Sequence, residues 1–306
     1  MSQVRRPKRD VDGVLLLDKP LGVSSNGALQ KARWLFTAAK AGHTGVLDPL
    51  ATGLLPVCFG EATKFSSFLL DADKRYTATV AFGRVTTTGD VEGEVVSERP
   101  VDVSRSALEA ALDRFTGPIR QVPPMYSALK FQGKALYEYA RQGIEIERKA
   151  RDVIIHGIDL LSFDGKEAVI DVRCSKGTYI RTLGEDIGEM LGCGAHLSGL
   201  RRTATAGFEI GSAVTLEALE GRDVPERDAL LLPPDVLVRH LPEVSLGESE
   251  CFRFCRGQAV RFSLNCAIMT RFRVYREVDR KFLGLAEWRG DSSLQPVRLL
   301  AAQAVS

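Results

Sequence analysis

The 306-residue chain, with 44% hydrophobic and 26% charged side chains, has the make-up of a globular protein long enough for two domains. Its net charge of +2 is uneven: residues 245–306 carry ten Arg and Lys against six Asp and Glu, while the preceding 244 carry 31 against 33, which suggests a basic, anion-binding module at the C-terminal end. No apolar run approaches the roughly 20 residues of a membrane helix, no apolar stretch follows the basic start MSQVRRPKRD as in a secretory signal, and six Cys and four His scattered without a CxxC pair argue against zinc and for reduced thiols in the cytoplasm.

In chain order, Val14 to Leu17 reads as a short buried strand, and Pro20 and Gly22 turn the chain after it. Ser24 or Ser25 caps a helix whose apolar face is Leu29, Ala32, Leu35 and Phe36. ATKFSSFLLDAD is predicted as another amphipathic helix. In RYTATVAFG, Tyr76, Ala78, Val80 and Phe82 share one face of a strand, and TTTGDVEGEVV reads as a turn and a return strand. SRSALEAALDRFTG is a helix with Ser106 and Glu109 as its capping box and Gly117 as its stop. Strands near 153–164 and 167–174 precede a helix in TYIRTLGEDIGEMLG that closes on Gly192, and AGFEIGSAVTLEAL adds a strand and a helix. Hairpins mixed with packed helices indicate an α+β fold: a mixed, largely antiparallel sheet with flanking helices, not repeated βαβ units.

Two regions break this rhythm. Residues 118–152 hold Pro123-Pro124, several aromatics and six Lys or Arg between Met125 and Asp152, the pattern of a protrusion. Its basic side chains Lys130, Lys134, Arg141, Arg148 and Lys149 fit either a clamp on a polyanion or a solvated hairpin. Prolines cluster in LLLPPDVLVRHLPEVSLGE, read as a linker that sets a domain boundary near residue 244, with a small β-rich domain over 245–306. There Cys251 and Cys255 read as a buried apolar pair. Nothing points to an obligate dimer, so a monomer is expected.

The stretch that carries chemistry is GHTGVLDPLATGLLPV, residues 42–57. An Asp before a Pro is an ordinary turn former. Here, however, Gly42, Gly45 and Gly53 allow backbone to approach a ligand closely, Thr44 and Thr52 offer hydroxyls, and the segment is too apolar for a solvated loop. Asp48 has no second carboxylate within it, which suits a nucleophile or a cation stabiliser. Arg181 can pair with Asp48, or with Glu185 one turn along its own helix. Tyr76 is a core-facing strand residue or a pocket rim. By themselves His43 and Tyr179 read as turn and packing residues, and Lys19 and Lys64 as caps, surface residues or phosphate contacts.

This motif resembles the signature of the TruB family of pseudouridine synthases, the tRNA pseudouridine-55 synthases. LLLDKPLGVSSN, VRCSKGTYIRTLGEDIG and LSGLRRTATAGF agree with the same family in order and spacing, over about residues 11–230, and GLAEWRGDSSLQPVRLL resembles a PUA-type RNA-binding module. The resemblance implies a pseudouridine synthase-like catalytic domain over 1–244, a PUA-like domain over 245–306, and tRNA, through its T-arm stem-loop, as the partner. It implies that Asp48 is the nucleophile paired with Arg181 and that Tyr76 stacks on the target uracil. His43 would help hold the substrate loop open, Tyr179 and Leu200 would line the base pocket, and Lys19 with Pro20 would support the active-site loop. Thr87 stands where relatives commonly carry Asp, while Asp90 is kept.

Pseudouridine formation breaks the bond from ribose C1′ to uracil N1, turns the base and rejoins C1′ to C5. All atoms are kept, so no cofactor, metal or cosubstrate is expected, which suits a sequence without a P-loop or dinucleotide fingerprint. Hydrolysis of a glycosidic bond typically uses two carboxyl groups, for which Asp90 is the best second candidate. The rivals are therefore a nucleoside or glycoside hydrolase, and a tRNA-binding or folding protein with incidental catalysis.

Overall fold

The computed structural model describes residues 7–262, 266–290 and 292–301; most of the basic N-terminal arm lies outside them. Strands Gly13–Lys19 and Ala51–Phe59 pair antiparallel along their length, from Gly13 opposite Phe59 to Lys19 opposite Gly53. Both are nearly continuous apolar runs because both of their faces are covered. Leu15, Leu17, Leu55, Val57 and Phe59 enter the main core, whereas Val14, Leu16, Leu54 and Cys58 enter a second core on the opposite face.

The main sheet runs, edge to edge, Val214–Thr215, Gly13–Lys19, Ala51–Phe59, Ala195–Thr205, Lys74–Phe82, Glu167–Cys174, Arg151–Phe163 and Gly117–Gln121. Ala41–His43 and Phe208–Glu209 pair alongside this path. Two pairings are parallel, Gly13–Lys19 with Val214–Thr215 and Ala51–Phe59 with Ala195–Thr205; the rest are antiparallel, as expected for an α+β chain. Helices Ser25–Leu35, Arg105–Phe115, Ile180–Met190 and Leu216–Glu220 send Leu29, Leu108, Leu183 and Leu219 into the main core.

A second sheet runs Glu243–Leu246, Arg271–Arg276, Phe282–Trp288, Ser293–Leu299 and Val260–Arg261 around its own core, in which Cys251 is buried and Cys255 partly so. The proline-rich stretch before it does not hang free. Val236, Leu237 and Val238 are buried in the core behind Val14 and Leu54, and Tyr275, Phe282 and Leu285 of the second sheet complete that core. The rings of Phe65 and Phe282 meet there at 5.5 Å.

Three local expectations are corrected. ATKFSSFLLDAD forms two 3-10 segments, Gly60–Lys64 and Ser66–Leu69, instead of an α-helix. The hydroxyls of Thr63 and Ser66 donate to the carbonyls of Gly60 and Thr63 at 2.7 and 3.0 Å, which competes with the regular backbone ladder. The Arg105–Phe115 helix is capped by Ser104, not Ser106, and Glu109 pairs with Arg105 instead of closing a capping box. The earlier start places Val103 and Leu108 at hydrophobic-staple positions, and both pack into the main core. The protrusion is shorter than expected, because Gly117–Gln121 and Arg151–Phe163 pair within the main sheet and only 122–150 leave it.

At the parallel junction Arg202 lies opposite Gly53. Gly53 has φ +102°, and a Cβ there would stand 2.3 Å from the Arg202 carbonyl oxygen. This glycine therefore admits a neighbouring strand, not a ligand. Gly53→Ala is expected to cost roughly 1–3 kcal/mol or more in urea unfolding. Gly211→Ala, where a Cβ meets nothing within 4 Å, should stay within about 0.5 kcal/mol.

Candidate active site

The segment between His43 and Ala51 is tied down from three sides. Ser25, at the start of the first helix, donates from Oγ to Leu47 O at 2.9 Å and accepts from Leu47 N at 2.8 Å. Lys19 is fully buried, and its ammonium donates to Val23 O, Pro20 O and Pro49 O at 2.6, 2.9 and 3.4 Å. Arg202 Nη2 reaches Gly45 O at 3.5 Å. The Asp48 carboxylate takes no part in these ties and turns toward a cavity.

Arg181, in the first turn of Ile180–Met190, meets the carboxylate. The Arg181 side chain is 5% exposed, with Nε 3.1 Å from Asp48 Oδ2 and Nη1 3.6 Å from Asp90 Oδ2. Nη1 also donates to Thr88 O at 2.7 Å and Nη2 to Tyr126 O at 2.6 Å. Of the two pairings open in the sequence, the structure forms the one with Asp48, and Glu185 is not an ion-pair partner. Asp90 sits behind the guanidinium, 2% exposed, accepting from Thr88 Oγ1 at 2.5 Å and from Glu92 N at 3.1 Å. The Thr87 hydroxyl accepts from Glu94 N at 3.1 Å, so this position closes the hairpin and does not meet Arg181.

Asp48 keeps 38% of its side-chain surface open, as a residue facing a cavity must, yet the surrounding protein strips much of its water. Burial therefore raises its pKa above the ordinary aspartate range; Arg181 and Lys19 oppose that rise and Asp90 adds to it. On the same helix Glu185 is pushed up to about 7, chiefly by burial. Lys19 is lowered to about 8 by burial, with Asp48 working against the fall.

A cavity of about 210 Å³ opens beside the carboxylate, lined by Asp48, Tyr76, Tyr179, Arg181 and Leu200 among others. Tyr76 is 7% exposed, on the buried face of Lys74–Phe82. Tyr179 is held by the Gln121 amide, which accepts from Tyr179 N at 3.0 Å and donates to Tyr179 O at 3.2 Å. Burial raises its phenol pKa, so the phenol is neutral. Ser127 and Ala128, from the base of the protrusion, close one side.

Three sequence-derived candidates lie elsewhere. Lys19 is outside the lining, and its ammonium holds the carbonyls of Pro20, Val23 and Pro49 behind the loop. His43 is on strand Ala41–His43 opposite Val57, outside the lining, and burial with the Arg202 charge lowers its pKa. Lys64 pairs with Glu61 at 2.7 Å and donates to Leu299 O at 2.9 Å, joining the body to the C-terminal sheet. The expected hydroxyls are also occupied or enclosed: Thr52 Oγ1 lies between Leu200 O and Arg201 Nη1 at 3.5 and 3.4 Å, and Thr44 is buried. Sequence reasoning missed Lys74 and Arg202, which line the cavity. The signal for Lys74 was present, since it falls two residues before Tyr76 on the same strand face. Among the described residues no three His, Cys, Asp or Glu side chains gather as metal ligands, and no helix is long and apolar enough to cross a membrane.

Residues 33–180 match the N-terminal domain of the TruB family pseudouridylate synthases, 181–239 the tRNA pseudouridylate synthase B C-terminal domain, and 242–300 the C-terminal domain of pseudouridine synthase II TruB. The tRNA pseudouridine synthase B of Chromobacterium violaceum is 67% identical over 304 residues, 99% of each chain. That of Neisseria meningitidis serogroup A is 58% identical over 294 residues, 96% of each. Among solved structures, the crystal structure of a Cbf5-Nop10-Gar1 complex matches with TM-score 0.72 and 25% identity, over 95% of this chain and 86% of that one. The structure of an H/ACA RNP bound to a substrate RNA containing 2′-deoxyuridine has the same fold, with TM-score 0.70 and 21% identity over 97% and 92%. On sequence identity along its whole length and on all three domain matches, the chain belongs to the TruB family of pseudouridylate synthases.

Proposed function

We propose that this chain isomerises a uridine in the tRNA T-loop, position 55, to pseudouridine, working as a cytoplasmic monomer with Asp48 as nucleophile. The observation that carries this reading is the single carboxylate facing the cavity, held by a buried guanidinium on its other side. An ionised oxygen there meets the developing positive charge at ribose C1′, and the enclosing walls keep out the water that would turn that sugar into an abasic site. Hydrolysis is disfavoured because Asp90, the second acid, is buried behind Arg181 and absent from the cavity wall.

The remaining lining groups fit the same step. Extruding a base from its stack costs a few kcal/mol and stacking on an aromatic ring returns about 1–3 kcal/mol, so Tyr76 offsets much of the extrusion without driving it. Tyr179, on the cavity wall, serves as a hydrogen-bonding group beside the base. RNA affinity would come from phosphate contacts by the protrusion. Lys130 and Lys149 are exposed there; Arg148 is not available, since it donates to Ile146 O and Pro123 O and pairs with Glu145.

Asp48→Asn should bind a T-arm stem-loop within about twofold of the unaltered protein and slow single turnover by roughly 10⁴-fold or more. The readout is tritium released from uracil C5. Release without free uracil supports isomerisation, free uracil means hydrolysis, and normal turnover by the variant removes Asp48 from the role.

The rate should fall on acidification with a midpoint above the ordinary aspartate range, because only the ionised form attacks and burial raises its pKa. Arg181→Gln should move that limb to still higher pH, since it removes the largest influence favouring the charged form; a limb that stays in place or moves down contradicts the assignment. Glu185→Gln should leave the Asp48 limb where it is.

Binding of tRNA should weaken steeply with salt. Replacing Lys130 and Lys149 together with Ala should reduce the slope of log K against log salt by about 1–2. An unchanged slope would exclude these two side chains as phosphate contacts.

A further inference from the structure

Arg202 explains features of the Asp48 segment that no ligand explains. It is 1% exposed, yet it lines the cavity with Asp48, Tyr76 and Leu200. Its Nε donates to Leu54 O at 2.7 Å and its Nη2 points to Gly45 O. A Cβ at Gly45 would stand 3.4 Å from its Nη1, and one at Gly53 would strike its backbone. Gly53 thus makes room for the Arg202 backbone, and Gly45 lies against its guanidinium. The Arg202 charge also acts on the Tyr76 phenol, which shares the cavity wall with it. Lys74 lines the same cavity, its ammonium donating to Ala72 O at 2.6 Å. The hydrogen bonds of both cations go to main-chain carbonyls, and among the described residues neither forms a carboxylate ion pair, although Asp73 and Asp71 act on Lys74 from farther off. The cavity therefore has two poles: a paired one at Asp48 and Arg181, and a positive one at Arg202 and Lys74 that has no direct ion pair.

We propose that Arg202, with Lys74 beside it, is an electrostatic catalyst that takes up the negative charge appearing on uracil as its bond to ribose is broken. This rests on the isomerase reading above. If Asp48 attacks C1′, the C1′–N1 electron pair leaves with N1 and spreads onto the ring carbonyl oxygens. If a glycal forms, C2′ loses a proton as the same pair departs; if Asp48 adds to C6, the charge reaches O4 as an enolate. In every route the base becomes anionic before C5 bonds to C1′, C5 gives up its proton and N1 gains one. A fixed donor aimed directly at such charge in a site shielded from water is worth about 10²–10³ in rate, and a cation standing beside it less.

The test compares single-turnover cleavage of the C1′–N1 bond in T-arm stem-loops carrying uridine or 5-fluorouridine at the target, read as rearranged nucleoside and not as C5 release because C5–F has no proton to give up; the fluorinated base is intrinsically the more stable anion. Arg202→Gln should slow uridine conversion roughly 10²–10³-fold with RNA affinity within about twofold, and the deficit should shrink at least about fivefold on 5-fluorouridine. An equal deficit on both bases, or a loss carried by RNA affinity, overturns the proposal. If Arg202→Gln melts below the assay temperature, Lys74→Gln decides: a drop of about tenfold that also shrinks on 5-fluorouridine supports the assignment, and an unchanged rate overturns it. Failure of the unaltered protein to convert uridine at all would instead overturn the isomerase reading beneath it.

Discussion

A buried guanidinium is costly unless each of its hydrogens has a partner, and the site is organised around meeting that demand for Arg181. Two carboxylates and two backbone carbonyls surround it, drawn from the Asp48 segment, the hairpin carrying Thr88 and Asp90, and the base of the protrusion at Tyr126. Three segments distant in sequence are thereby held at one point. Asp48 is the only one of the four partners with surface toward the cavity, so the same network that fixes the arginine also fixes the carboxylate at the cavity mouth. Asp90 has a part in that network without being a reactive acid: it balances the charge from behind while raising the pKa of Asp48.

The pieces of this arrangement differed in how far they could be read from the sequence. Alternation placed Tyr76 on the buried face of its strand, and the helix from Ile180 followed from its apolar spacing. The core strand Ala51–Phe59 was hidden because both of its faces are covered, so its apolar run carries no period of two and reads as the tail of a loop motif. The two 3-10 segments were misread because Ala62, Phe65 and Leu69 keep a helical spacing while Thr63 and Ser66 redirect the backbone locally.

For the site, residue type and family resemblance pointed to Asp48, Arg181, Tyr76, Tyr179 and Leu200, and the fold brings these five to one cavity. Lys19 and Lys64 read equally as caps, surface residues or phosphate contacts because a lysine in a sequence carries no mark of burial. One proves to be sealed inside three carbonyls and the other spans to the C-terminal strand. Arg202 escaped notice for the converse reason. Its importance lies in what passes close to it, Gly45 and Gly53, and such proximity exists only once the parallel pairing of Ala51–Phe59 with Ala195–Thr205 has formed.

The core shared by Val14, Leu54 and Phe65 with Tyr275, Phe282 and Leu285 makes the C-terminal sheet a buttress behind the very strands whose near ends frame the cavity. It does not swing on a tether. The separation between the Asp48 carboxylate and the basic C-terminal sheet is therefore set by packing, and a partner that touched both would have to span it.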